Sequence, residues 1–228
     1  MFPTHIDYFT SIDDFIQGVT KSILKVAHDA ISRSGNFRVV ISGGETPKRI
    51  YAALAEYKAS TTFWQAWEIW FADERCLPAN DRQRNSRMAD DIWLEKVPVN
   101  RNKVFVIQAE IGATKAANLY HEALISVDYF DLTLLGIGVD GHTASLFPEQ
   151  HQHNSTLANA IPVFDAPKPP LERVSLSLSR LNRSKNVFIL AAGQDKKRIV
   201  QDYISGVFMP ASLIKGEIST QFFYTQEK

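Results

Sequence analysis

Apolar residues recur along this chain with two periods, and the periods alternate. Ile12, Phe15, Ile16, Val19, Ile23, Val26, Ala27, Ala30 and Ile31 return every three or four positions. That spacing gives a helix one core-facing stripe. Ser11 with Asp14 makes a capping-box-like start, and Gly35-Asn36 an end. FRVVI at 37–41 then reads as a strand of β-branched and aromatic residues. A helix from 47 to about 57 follows, with Thr46 as its cap and Pro47 at its first position. WEIWFA at 67–72 is the next strand, 85 to about 95 a helix, and 103–107 a short strand.

The alternation continues to the end of the chain. Residues 113–127 form an amphipathic helix, with Ala116, Leu119, Tyr120, Ala123, Leu124 and Val127 on one side. Leu132, Thr133, Leu134 and Leu135 make a short apolar run bounded by glycine, the mark of a strand buried on both faces. RVSLSLS at 173–179 alternates, which predicts one buried face. NVFILAA at 186–192 is a buried strand, 196–204 a helix, and 220–224 a last strand. Strands alternating with helices predict one α/β domain over 1–228, three-layered, with a mostly parallel Rossmann-like sheet flanked by helices.

Composition narrows the function classes. The chain has 228 residues with 25 Lys plus Arg against 25 Asp plus Glu, so no net charge draws it to nucleic acid. No apolar run approaches the ~18 residues of a membrane span, and the N-terminus lacks the pattern of a secretory signal. Cys76 is the only cysteine, which excludes an internal disulfide and fits a reducing compartment. A cytoplasmic protein, monomeric or weakly homo-oligomeric and without a nucleic-acid or membrane partner, is expected.

Candidate chemistry sits in loops that follow strands: SGGETP at 42–47, DER at 73–75, GVDGH at 138–142 and GQDK at 193–196. In a parallel sheet such loops gather on one edge, where ligands bind. Gly43 and Gly44 allow a tight turn that presents bare amides at a helix N-terminus, a site suited to phosphate. Arg75, Arg173 and Lys196 are candidate cations, and Lys196 in a first helical turn is better explained beside an anion. Asp140 and His142 form a candidate acid–base pair. Together these residues describe a site for a small phosphorylated substrate that needs proton transfer.

Other motifs are weaker. Gly136, Gly138 and Gly141 spell the dinucleotide fingerprint, but Pro148 stops any following helix after roughly two turns and no acidic residue ends a strand about 20 positions later. The irregular stretch 149–170, with four prolines, is a candidate lid. Its His151 and His153 lack the cysteine or carboxylate company of a metal site, so no metal is expected. There is no G-x-S-x-G elbow.

SGGETP, FADER, DLTLLGIGVDGHTASLFP, RVSLSLSRLN, GQDK and MPAS, in this order, resemble the 6-phosphogluconolactonase family of the glucosamine/galactosamine-6-phosphate isomerase superfamily. The resemblance runs from about residue 9 to residue 214. It departs from the family at Arg84, where a serine commonly precedes Asn85, and near the C-terminus, which lacks a usual aspartate. It implies hydrolysis of 6-phospho-D-glucono-1,5-lactone without a cofactor. His142 would be the general base and Asp140 would orient it. Ser42, Gly43, Gly44, Thr46, Asp73, Arg75, Arg173 and Lys196 would bind substrate, with Arg75 assigned to neither phosphate nor lactone ring. Two other readings stay open: an amino-sugar-phosphate deaminase, whose family carries a glutamate where Phe147 stands, and a non-catalytic sugar-phosphate sensor.

Overall fold

The computed structural model describes residues 5–149 and 158–228. The chain runs β1 (His5–Phe9), α1 (Ile12–Ser34), β2 (Phe37–Ile41), α2 (Glu45–Ala55), α3 (Thr61–Gln65), β3 (Trp67–Phe71), β4 (Asp73–Arg75) and α4 (Asn85–Ala89). A π-helical turn, Asp90–Leu94, continues α4. Then come β5 (Val104–Phe105), α5 (Ala113–Ala123), β6 (Phe130–Gly136), β7 (Ala160–Val163), β8 (Arg173–Leu176), α6 (Leu178–Leu181), β9 (Ser184–Ala192), α7 (Lys197–Ile204) and β10 (Ser219–Thr225).

Among the described residues there are two sheets. The larger has seven strands in the order β1-β10-β9-β6-β2-β3-β5, and each pairing in it is parallel. The mostly parallel sheet expected from the alternation is therefore present. β6 lies at its centre and is buried along almost its whole length, because neighbouring strands and helices on both faces exclude water from it. The order reverses direction beside β6, since β2 lies on one side and β9 on the other. That reversal opens a crevice at the carboxyl ends of the strands.

The smaller sheet, β4-β8-β7, is antiparallel and was not foreseen. Asp73–Arg75 pairs with Arg173–Ser175 as a strand rather than starting a loop. β8 is also buried on both faces, not one, and Ser177 ends it by capping α6. β7 lies inside the stretch read as irregular; the remainder of that reading, with His151 and His153, falls on residues outside those described. β1 was likewise not anticipated. Leu119 and Ala123 face solvent, since α5 turns only Ala113, Ala116, Ala117 and Tyr120 into the core.

Local chemistry explains the principal elements. Ser11 Oγ accepts from the Asp14 amide at 3.1 Å, and Gly35 takes the left-handed conformation that closes α1. Asp131 fixes the start of β6. Its buried carboxylate accepts from the Arg38 amide at 3.0 Å and pairs with Arg33 and Lys185 at 3.1 and 3.2 Å.

The core continues into an aromatic cluster under α2. Trp93 stacks on Tyr51 at 5.5 Å between centroids and meets Trp64 and Trp67 edge-on at 6.0 and 5.5 Å. Tyr51 in turn holds Ser42, as described below, so this packing bears on the crevice as well as on stability. Trp93→Ala is expected to lower unfolding free energy by about 3–5 kcal/mol. Urea denaturation followed by far-ultraviolet circular dichroism measures it; a loss below about 1 kcal/mol would mean that the cluster collapses to fill the space.

Candidate active site

The crevice at the carboxyl end of the large sheet holds a cavity of about 670 Å³. Each candidate residue named from the sequence lines it: Ser42, Gly43, Gly44, Thr46, Asp73, Arg75, Asp140, His142, Arg173 and Lys196. The common direction of the large sheet's strands brings together Ser42, Gly43, Gly44, Thr46, Asp140, His142 and Lys196, and the small antiparallel sheet adds Asp73, Arg75 and Arg173.

The glycine loop joins β2 to α2. Gly44 is the N-cap of α2 at φ 111°, so Thr46 does not cap the helix and Pro47 is its third residue rather than its first. Glycine suits that conformation because it has no Cβ to clash. Ser42 is largely occupied by the scaffold. Its hydroxyl donates to the Leu134 carbonyl at 2.5 Å, while the Tyr51 hydroxyl bridges its amide and carbonyl at 3.0 and 2.8 Å. The start of α2 lines the cavity, and the orphan amides of a helix N-terminus suit an anion.

The second loop follows β6. No helix forms after Gly141; Thr143 and Leu146 instead make a tight bridge, and the Thr143 hydroxyl donates to the Gly136 carbonyl at 2.9 Å. The dinucleotide reading fails here, because that fingerprint requires a helix opening at its third glycine. Asp140 Oδ1 lies 2.5 Å from His142 Nδ1 and accepts from the His142 amide at 3.2 Å. Burial disfavours the charged carboxyl, but the hydrogen bond and charge of His142 outweigh it and hold Asp140 down at about 2. With Asp140 ionised, the shared proton belongs on Nδ1 and the lone pair on Nε2. Phe147 backs the imidazole at 4.9 Å between centroids and lies 5.6 Å from the Arg173 guanidinium.

Cations surround this pair. Arg75 and Arg173 are opposed across the β4–β8 ladder, so two like charges stand side by side. Arg75 anchors its guanidinium on the Gln83 carbonyl. Arg173 donates to the Pro170 and Lys168 carbonyls at 3.1 and 2.8 Å, bracing the loop before β8. Burial lowers its pKa, and Asp73 opposes that shift. Lys196 Nζ donates to the Ile137 carbonyl at 2.7 Å. Its pKa is lowered by burial against the counter-effects of Asp195 and Asp140, with Lys228 and Lys168 lowering it further.

A buried network missed by the sequence reading sets the far wall. Glu74 is fully buried. It accepts from the amides of Arg75, Asn85 and Ser86 at 2.8 Å each and from the Ser86 hydroxyl at 2.7 Å. Arg84 lies 3.4 Å from Glu74 and 2.6 Å from Glu110. Asn85 then donates to Asp73 Oδ1 at 2.9 Å, and Ser145 donates to Asp73 Oδ2 at 2.6 Å. A Cβ on Gly43 would lie 1.8 Å from Asn85 Oδ1, so the glycine loop packs directly on this wall. No sequence signal separates Glu74 from the charges beside it; its meaning comes from burial.

The sequence matches the family model described as glucosamine-6-phosphate isomerases/6-phosphogluconolactonase over residues 10–222. The chain belongs to this family. It is 35% identical over 210 residues to a 6-phosphogluconolactonase of Streptomyces coelicolor, covering 84% of this chain and 80% of that one. It is 32% identical over 205 residues to a probable 6-phosphogluconolactonase of Schizosaccharomyces pombe, covering 81% and 78%. The crystal structure of 6-phosphogluconolactonase from Thermotoga maritima superposes with a TM-score of 0.88 at 26% identity, covering 96% and 99%. A monomeric glucosamine-6-phosphate deaminase shares the fold with a TM-score of 0.82 at 16% identity. The family fold therefore carries both chemistries. Among the described residues no helix is long and apolar enough to cross a membrane, and no three His, Cys, Asp or Glu side chains group as a metal site.

Two outcomes test the pair at the centre of this family site. A Cβ on Gly138 would lie 2.1 Å from His142 Nδ1 and 2.4 Å from Asp140 Oδ1. Gly138→Ala should therefore keep the fold and split the pair, read as loss of the downfield Nδ1 proton by NMR. Persistence of that proton would show that the turn yields instead. The Asp140 carboxyl carbon should titrate near 2 and move up toward the ordinary value of about 3.9 in His142→Asn. Because the folded value is the lower one, the stability that Asp140 contributes is present above about pH 4 and lost as pH falls through about 2. A midpoint near the ordinary value in the unaltered protein would contradict the coupling.

Proposed function

We propose that this chain hydrolyses 6-phospho-D-glucono-1,5-lactone to 6-phosphogluconate in the cytoplasm, without a cofactor and without a nucleic-acid partner. The observation that carries the reading is the Asp140–His142 contact of 2.5 Å inside a cation-lined cavity. The lactonase names of the relatives support the substrate.

His142 acts through Nε2. Asp140 holds Nδ1–H and steadies the imidazolium that forms. Nε2 takes a proton from water as the water oxygen bonds to the lactone carbonyl carbon. Negative charge develops on the carbonyl oxygen as that bond forms. The bond from that carbon to the ring oxygen then breaks, and the imidazolium returns its proton to the departing oxygen. The product acid ionises in solution.

Substrate is positioned from its other end. Lys196, the Gly43 and Gly44 amides and Thr46 bind the phosphate, and Ser42 supports them by fixing the loop. Arg173 shares that task while bracing the loop before β8. Arg75 lies opposite Arg173 and serves the same anionic end. Asp73, held by Asn85 and Ser145, accepts from a sugar hydroxyl. Binding energy at the phosphate is thereby used to place the carbonyl against His142.

His142→Asn should stay folded and lose roughly 10²–10⁴-fold in turnover, measured as acid release above the spontaneous rate. Near-normal turnover in this variant would remove His142 as the base. Phe147 backs the imidazole where a deaminase of this superfamily has a glutamate, and a phenyl ring cannot exchange protons. Glucosamine 6-phosphate should accordingly yield no ammonia under conditions of rapid lactone hydrolysis. Steady ammonia release that disappears in His142→Asn would favour the deaminase.

A further inference from the structure

The segment after β10 brings one more cation to the cavity. Glu227 reaches the start of α1, where its Oε2 accepts from the Ile12 amide at 2.9 Å. This tie places Lys228 beside the turn that follows β9. The Lys228 stem crosses that turn over Gly193. A Cβ on Gly193 would lie 2.6 Å from Lys228 Cε and 3.0 Å from Cγ, so any other residue there would push the stem aside. Gly193 also adopts φ +116°, which side chains resist. The ammonium ends 2.9 Å from Asp195 Oδ1, and that hydrogen bond is the main reason the Asp195 carboxyl is held below its usual range.

Lys228 lines the same cavity as Lys196 and Lys168. The charges of Lys228 and Lys168 both press the Lys196 pKa downward, which sets the three ammonium groups within electrostatic reach. They come from three separate segments. Lys196 uses one of its three donors on Ile137, and Lys228 uses one on Asp195. The remaining donors suit an acceptor with several oxygens and more than one negative charge. Asp195 and Asp140 offset part of this charge; a phosphate dianion would offset the rest.

We propose that Lys228 is a further substrate-binding residue: oriented by Asp195 across Gly193, its ammonium contacts the phosphate beside Lys196 and raises selectivity for phosphorylated over unphosphorylated lactones. This deepens the lactonase reading and rests on it. Its side chain is 66% exposed, so replacing it does not threaten the core.

The test compares Lys228→Met and Lys228→Arg with the unaltered protein on 6-phosphogluconolactone and on gluconolactone. The methionine variant should raise KM for the phosphorylated lactone roughly tenfold with kcat within about twofold. The arginine variant should restore most of that loss, and neither should change kcat/KM for gluconolactone. A KM within about twofold of the unaltered value, or equal losses on both lactones, overturns the proposal. Calorimetric binding of 6-phosphogluconate separates this from the parent reading. If the unaltered protein opens neither lactone, the lactonase reading falls. Lys228 is then decided by that titration: tenfold weaker binding in Lys228→Met supports its role, and unchanged binding overturns it.

Discussion

A carboxylate shut away from water must have its oxygens occupied, and Glu74 meets that constraint with four hydrogen bonds from three neighbouring residues and an ion-pair contact from a fourth. The consequence is geometric. β4 and the start of α4 cannot drift apart without stranding the charge. Asn85 is thereby pinned against Gly43, Asp73 is pinned by Asn85, and Ser145 reaches Asp73 from the loop after Gly141. One buried group thus ties the glycine loop, β4 and the loop after β6 to one another at the cavity.

The cavity itself combines charges that repel. Arg75 faces Arg173 across an antiparallel ladder, and Lys196 lies within reach of Lys168 and Lys228. Carboxylates offset part of this: Asp73 near Arg173, Asp195 on Lys228 and Asp140 near Lys196. The positive charge left over suits an anionic ligand. The acid–base pair sits among these cations on a turn where every departure from glycine at 138 collides with it. Rigidity at the base and positive charge around it are compatible because separate elements supply them.

The sheet explains why one fold serves lactonase and deaminase relatives. Parallel strands bring the same loops to the same edge whatever their side chains. Here Phe147 packs on the ring and under Arg173, so the imidazole has an apolar neighbour on one side and Asp140 on another.

The sequence by itself determined the alternation of strands and helices, and hence the parallel sheet. It also marked the residues whose meaning is local: Ser11 as a cap, the glycines beside β2 and β6, and His142 two residues from Asp140. Local spacing suffices for these because backbone conformation and short-range contacts decide them. The cap of α2 was misassigned to Thr46 because a glycine N-cap leaves no side-chain signature. The small sheet was missed because β4 and β7 are short, β7 carries Pro162, and β4 pairs with β8 across a long interval of chain. Only tertiary structure distinguished Glu74, which is buried, from the charges beside it, and only tertiary structure carried Lys228 over Gly193 into the cavity. Burial and long-range approach depend on the packing of the whole chain, and no window of sequence contains them.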